Sequence, residues 1–509
     1  MTNQKEAINT NEDILMGRVT PYVSRMKHWL DPKIKKSLCL FCSLGCGVAF
    51  RCDGDHAKEL DYDKENPVCN GALCPRGHYN IELLTHPGRL MEPMIGRRRV
   101  SWSEALAFLH QELKLFRPEE IGIVLSTNAS CEDAYLAARL AKLIGTDKLA
   151  ATGELADLEA FRGYQYDVPG AQLAQLEEID NAEALLIVGD LLVRSPVLSQ
   201  RINKVKYGKR GNKIIVIDPN KTHTAWFATA QLRNQPGTEA LVLAALAGAG
   251  LDPALVAERT GLSQALLVAA AYDFNAATSG TIIVVPGANK QRNDLLVYFA
   301  KLLAARSPNK KFISFYSGGN TLGVNTVLDR EAEGHTSYTE LLSKIDSGEI
   351  KAMIMLGGDL APTHPELGNK IKHLKFVARS AHFPQADAYE TTVQLPLASQ
   401  LDGGGSYQLA DGRKEEPVPV TPKAGAKTNA EIMALIMNTE LDNEKLRTET
   451  AASLARGIKT VSADQGEILD GCRAIAAGAD RPDEQITHFG NNELVKRFFW
   501  FRLKTGELS

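Results

Sequence analysis

The stretch "SLCLFCSLGCGVAF" (Ser37–Phe50), followed by "LCPRGHYN" (Leu73–Asn80), decides how this chain is read. Three of the eight cysteines, Cys39, Cys42 and Cys46, sit close together, and Cys74 completes the pattern C-x2-C-x3-C-x27-C. A cubane of four irons needs one thiolate per iron. A short loop with residues two and three apart can wrap three corners, and the fourth ligand must come from elsewhere in the chain. Gly45 and Gly47 allow the tight turns this requires, and Pro75 follows the last ligand as in ferredoxin-type runs. Structural zinc is the competing reading, but zinc sites usually draw their ligands as two short pairs. A [4Fe–4S] cluster is therefore expected on Cys39, Cys42, Cys46 and Cys74. Cys69 competes for the fourth position, and the Pro and Arg after Cys74 favour Cys74. Cys52, Cys131 and Cys472 are isolated and read as small buried hydrophobes. Arg76 places a fixed positive charge two residues from a ligand, where it would favour the reduced state; its alternative role is a surface salt bridge.

Downstream, short apolar runs alternate with longer stretches at helical spacing. The runs are Ile121–Ser126, Ala184–Gly189, Lys213–Asp218, Thr281–Gly287, Lys311–Gly319 and Ala352–Gly358, and "CEDAYLAARLAKLIG" (Cys131–Gly145) typifies the stretches between. Near-continuous apolar strands alternating with helices predict parallel sheets buried on both faces. Six such units exceed one mononucleotide-binding half, so two α/β lobes are expected, with ligands beyond the carboxyl ends of the strands. After Gly403 the sequence turns rich in Gly, Pro and charge, which predicts an extended segment. Near the end, "ELVKRFFWFRL" (Glu493–Leu503) reads as a core anchor or an aromatic docking patch. Residues 1–36 are polar and read as an extension lying on a neighbour or a solvated arm.

The 509 residues imply two to four domains. A net charge of -3 gives no reason to expect nucleic acid as a partner. No apolar run approaches the ~20 residues of a membrane span, and the N-terminal stretch has no export-signal pattern. The expected location is cytoplasmic, where clustered cysteines bind metal rather than form disulfides.

The cysteine pattern, with "RGHYNIELLTHPGRLMEPMI" after it, resembles the cluster domain of molybdopterin-dependent oxidoreductases, the superfamily of formate dehydrogenases, formylmethanofuran dehydrogenases and the large iron–sulfur subunit of respiratory complex I. The resemblance continues through "STNASCEDAYLAARLAKLIGT", "IDNAEALLIVGD", "VIDPNKTHTAWFATAQLRNQPGTEA" and "YETTVQLPLASQLDGGGSYQLADGR", from about Ser37 to Arg413. It implies a small N-terminal [4Fe–4S] domain followed by two Rossmann-like lobes. The expected division is an extension (1–36), a cluster domain (37–96), a discontinuous lobe (97–150 with 275–415), a second lobe (151–274) and a tail (416–509). It also implies that Arg76 lies between cluster and pterin. Asp218, Thr222, Gly237, Thr238 and Glu239 match positions that cradle the dinucleotide of the cofactor, and Gly318, Gly319 and Asn320 lie in a similar glycine-rich strand end.

Departures from the family qualify this. Where catalytic members carry a Cys, selenocysteine, Ser or Asp on molybdenum or tungsten, this chain has "LAATGELADLEAF" (Leu149–Phe161), with Thr152 or Gly153 at the position and Glu154 and Asp157 nearby. "VGDLLVRSP" (Val188–Pro196) puts Asp190 and Leu191 where a phosphate contact is usual, and a carboxylate there would repel a pyrophosphate. The sequence after Arg413 leaves little room for the barrel domain that closes over the cofactor in many members, and the ferredoxin domains that precede the cluster domain in the complex I subunit are not seen. The expectation is a degenerate member: an electron-transfer subunit whose [4Fe–4S] cluster relays electrons among iron–sulfur, flavin or catalytic partner subunits, with the molybdopterin guanine dinucleotide and its catalytic residues lost. The alternatives are an active molybdo- or tungstopterin enzyme of formate- or formyl-oxidising type with an unconventional ligand, and a purely structural subunit.

Overall fold

The computed structural model describes residues 33–288, 292–332, 336–357, 373–384 and 393–477. The N-terminal extension up to residue 32 and the aromatic run at 493–503 lie outside them. Strands β1 (Lys33–Leu38), β2 (Gly47–Asp53) and β3 (His56–Tyr62) form an antiparallel sheet. The loop between β1 and β2 carries Cys39, Cys42 and Cys46, and its neck is closed by Cys39 N–H donating to the Cys46 carbonyl at 2.9 Å. Gly45 turns this loop at φ +69°, in the left-handed region, and a Cβ there would strike the Leu409 side chain. Conformation and close approach both demand glycine.

Strands β4 (Met94–Ile95), β5 (Arg98–Arg99), β6 (Ile121–Ser126) and β7 (Leu149–Thr152) belong to one sheet. The next five, β8 (Ala184–Val188), β9 (Lys213–Ile217), β10 (Ala230–Leu232), β11 (Gly280–Val284) and β12 (Lys310–Ser314), make a second, wholly parallel sheet in the order β10-β9-β8-β11-β12. The chain then returns to the first sheet with β13 (Ala352–Leu356), β14 (Phe376–Ala381) and β15 (Val393–Pro396), giving β5-β4-β15-β14-β13-β6-β7. The six apolar runs are all strands. Those of β6, β8, β11 and β13 are buried at every residue, because helices cover both faces, as a parallel sheet requires. Burying one such Val, Leu or Ile side chain contributes about 1.5–3 kcal/mol, so these strands carry much of the stability of each lobe.

Pairing moves one expected boundary. β11 pairs with β8, and β12 with β11, not with β6 or β13, so the stretch near 280–314 lies in the second lobe, whereas the expected division put everything from 275 with residues 97–150. The reason is register: Ile282 and Ile283 stand opposite Leu186 and Ile187, one apolar run against another, and apolar runs of equal length do not announce their partners in sequence.

The residues after 416 are also more regular than their composition predicts beyond the Pro/Gly-rich opening. Helices Asn429–Ile436 and Asn443–Ala455 bury Ile432, Met433, Leu446 and Leu454 in the first lobe's core. Helix Gln465–Ala476 buries Ile468, Cys472 and Ile475 in the second, so this stretch straps the two lobes together.

Candidate metal centre

Cys39, Cys42 and Cys46 are buried and Cys74 is half-buried. All four line one recess, walled by Phe41, Leu44 and Leu73 from the cluster domain and by Ser195, Pro196 and Val197 from the second lobe. Burial pushes the Cys39 thiol up to about 12, with the nearby Cys74 and Cys42 sulfurs adding to the effect. Cys74 is raised by burial and then by Cys42, while Arg76 opposes. Thiols that raise one another's pKa in a dry recess are thiols whose charged form needs a cation beside it. A lone zinc at 2.3 Å from each sulfur would draw the sulfurs to about 3.8 Å from one another. Among the described residues no group of three or more His, Cys, Asp or Glu side chains is placed to hold a single metal ion. The four thiols line one recess, as the corner ligands of a cluster would. Cys69 is fully buried and does not line that recess; its sulfur lies 3.5 Å from both Gly47 O and Asn66 Oδ1.

Arg76 sits in the short helix Pro75–His78 that starts just after Cys74. It is 5% exposed, so it is not placed for a surface salt bridge. Its guanidinium donates to the Phe41 carbonyl at 3.4 Å, within the cysteine loop, and to the Arg194 carbonyl in the second lobe. Arg194, also buried, turns its side chain the other way. Nη1 pairs with Glu154 Oε2 at 2.8 Å, and Nη2 donates to the Pro286 carbonyl at 3.0 Å. Glu154 follows β7 directly, at the stretch where the family's metal ligand would fall. Asp157, one turn on, is fully buried and accepts from Ser317 N–H at 2.8 Å. Burial pushes its carboxyl up to about 6, with Arg194 opposing and Glu154 adding. Gly153 is a packing glycine, since a Cβ there would come 2.7 Å from Thr127 Oγ1.

The expected dinucleotide positions gather beyond β8, β9 and β10. Asp218 is buried and accepts from Asn220 N–H at 2.8 Å; burial pushes it up to about 6, and Asp190 adds to this. Asp190 accepts from Thr224 Oγ1 at 2.6 Å. Glu239 is 1% exposed and burial pushes it up to about 7. Its Oε1 accepts weakly from Gly237 N–H at 3.4 Å, while Oε2 has no hydrogen-bond partner among the described residues. Gly237 is needed for its φ of +83°. The hydroxyls of Thr222 and Thr238 are engaged locally, Thr222 Oγ1 accepting from Ala225 N–H at 3.1 Å and Thr238 Oγ1 donating to the Gln235 carbonyl at 2.6 Å. Gly319 lies against the cysteine loop, where a Cβ would meet the Leu40 carbonyl at 2.5 Å. Asn320 is fully buried, its amide donating to the Ala129 carbonyl at 2.7 Å and accepting from Gln408 N–H at 2.8 Å. The structure thus sets Cys39, Cys42, Cys46, Cys74 and Arg76 about one recess and Asp218, Gly237, Thr238 and Glu239 about the strand ends, while Asn320 serves the interior. Reading the sequence missed Arg194 and Ser195, whose only signal was the departure "VRSP" itself.

Comparison with known proteins agrees with this geometry. The molybdopterin oxidoreductase family model matches residues 89–438, and the model of the molybdopterin oxidoreductase Fe4S4 domain matches residues 32–86. The chain belongs to the molybdopterin oxidoreductase family and carries its Fe4S4 domain. The alpha subunit of an F420-dependent formate dehydrogenase from Methanocaldococcus jannaschii is 28% identical over 224 residues, covering 43% of this chain and 33% of that protein. The alpha subunit of an NADPH-Fe(3+) oxidoreductase from Geobacter sulfurreducens is 22% identical over 482 residues, covering 82% and 57%. The matches thus span between a third and somewhat over half of those relatives' own lengths. Acetylene hydratase from Pelobacter acetylenicus shares the fold with a TM-score of 0.63 at 15% identity, over 89% of this chain and 74% of that one. Among the described residues no helix is long and apolar enough to cross a membrane.

Proposed function

We propose that this chain is an electron-transfer subunit of a cytoplasmic, multi-subunit oxidoreductase, holding one [4Fe–4S] cluster on Cys39, Cys42, Cys46 and Cys74 and no longer binding the pterin. The observation that carries this reading is a contrast within one short path. Four thiols ring the recess, while the glutamate beside the expected metal-ligand position is already held by Arg194 at 2.8 Å. When bound, the cluster supplies one-electron transfer. The chain's own part is to hold it, to exclude water with Phe41, Leu44, Leu73 and Val197, and to keep the fixed charge of Arg76 nearby. Cys74, the least buried ligand, offers the shortest way out for an electron to a partner. That both relatives are named as alpha subunits supports assembly with other redox chains.

The residues at the pterin positions do not fit that cofactor. Asp190 stands where a phosphate contact is usual, and a pyrophosphate there would meet like charge. A pterin enzyme using Glu154 as its ligand would first have to break a buried ion pair. The test is metal analysis of the natively purified complex under anaerobic conditions. About four irons per copy of this chain, without molybdenum or tungsten, is the expected result. Near-stoichiometric molybdenum or tungsten bound to this chain would overturn the relay and make Leu149–Phe161 an unusual active site.

A further inference from the structure

We infer that Ser195, delivered by the second lobe, sets the potential of the cluster by donating its hydroxyl hydrogen to the sulfur of Cys42. The inference rests on the proposed cluster and goes beyond it, because it names a positioning residue outside the cluster domain. Ser195 is 1% exposed, and its Oγ lies 3.7 Å from Cys42 Sγ. A buried hydroxyl left without a partner costs about 1–3 kcal/mol, so the hydrogen turns to the sulfur. Its backbone leaves little play. Ser195 N–H donates to the Leu191 carbonyl at 2.7 Å, and the Ser195 carbonyl accepts from Leu198 N–H at 3.0 Å. The neighbouring Arg194 is pinned through its side chain to Glu154 and Pro286 and through its carbonyl to Arg76, which also holds Phe41. The hydroxyl is therefore aimed by contacts from three parts of the chain.

Reduction adds one electron and, at this contact, moves no proton: Ser195 keeps its hydrogen and Cys42 stays a thiolate. The thiolate sulfurs carry more negative charge in the reduced state. A donor to one of them strengthens on reduction and raises the potential.

The experiment is a redox titration of the purified native complex, with dithionite as reductant and the cluster followed by electron paramagnetic resonance. Ser195→Ala is expected to keep its iron and to lower the midpoint by up to about 59 mV, a tenfold change in the reduced-to-oxidised ratio at fixed potential. Ser195→Thr, which retains a hydroxyl, should restore most of the shift. An iron-replete Ser195→Ala with the wild-type midpoint would overturn the inference, as would a Thr variant shifted as far as Ala. If Ser195→Ala does not load iron, Ser195→Gly removes the same hydroxyl without added volume and carries the same two outcomes. Wild-type complex without four irons on this chain would instead defeat the proposed function, so the two failures are distinguishable.

Discussion

The recess at the cysteine loop and the crevice beyond β8, β9 and β10 are both places where like groups are crowded out of water, and they resolve the crowding differently. At the recess, four thiols face one space walled by apolar side chains, with Arg76 near Cys74 and Arg194 near Cys42 as partial counter-charge for the four sulfurs. At the crevice and the adjoining end of β7, most of the carboxylates are met from within the chain, Glu154 by Arg194, Asp190 by Thr224 and Asp218 by its own turn, while Glu239 Oε2 is left without a partner among the described residues. A group that must be neutralised but has no internal partner waits for a ligand. A group already paired resists one. The contrast separates the end proposed to hold metal from the crevice beyond the second sheet's strand ends.

The largest effect should come from breaking the recess. Cys42→Ala removes one corner of the ligand set, and iron per chain, measured on the reconstituted protein, should fall well below four. A Cys42→Ala chain that keeps four irons and the wild-type spectrum would show that the cubane is held otherwise. Cys69→Ala should leave iron content near four, since Cys69 does not line the recess and only hydrogen-bonds the ligand Cys46.

The ion pair comes next. Glu154→Gln leaves the buried Arg194 without its direct ion-pair partner, with Asp157 the nearby carboxylate that remains, and should cost up to about 3–5 kcal/mol in denaturant unfolding. The double variant Glu154→Gln, Arg194→Met removes both charges and should recover most of that. Equal losses in single and double variants would mean that the pair does not close this position.

The smallest effect concerns Glu239. Its carboxyl, pushed up to about 7 by burial, binds a proton more tightly folded than unfolded. The stability it confers is therefore fully present below about pH 4.5 and is lost as pH rises through 7. The loss approaches ~3 kcal/mol on the linkage relation. Glu239→Gln should flatten that part of the stability profile between pH 4.5 and 7.5, and an unchanged slope would place the titrating group elsewhere.

Much of this was legible in the sequence because it depends on local constraints. Spacing alone made Cys39, Cys42 and Cys46 one loop, and apolar runs alone made β6, β8, β9, β11, β12 and β13 buried strands. The aromatic run at 493–503 and the polar extension before residue 33 lie outside the described residues. The helices after residue 428 were hidden by a Pro- and Gly-rich approach, although Thr428 and Glu431 form a capping box that marks the first of them.

The sequence by itself determined the metal-ligand set as a pattern, the α/β alternation and the departures at "LAATGELADLEAF" and "VGDLLVRSP", because each is a matter of residue type at close spacing. Only the tertiary structure decided that β11 pairs with β8 and β12 with β11, and that Arg194 holds Glu154 while Ser195 meets Cys42. The last two pairings join residues 40 and 153 positions apart. They follow from which apolar surfaces bury one another, and no local pattern encodes that choice.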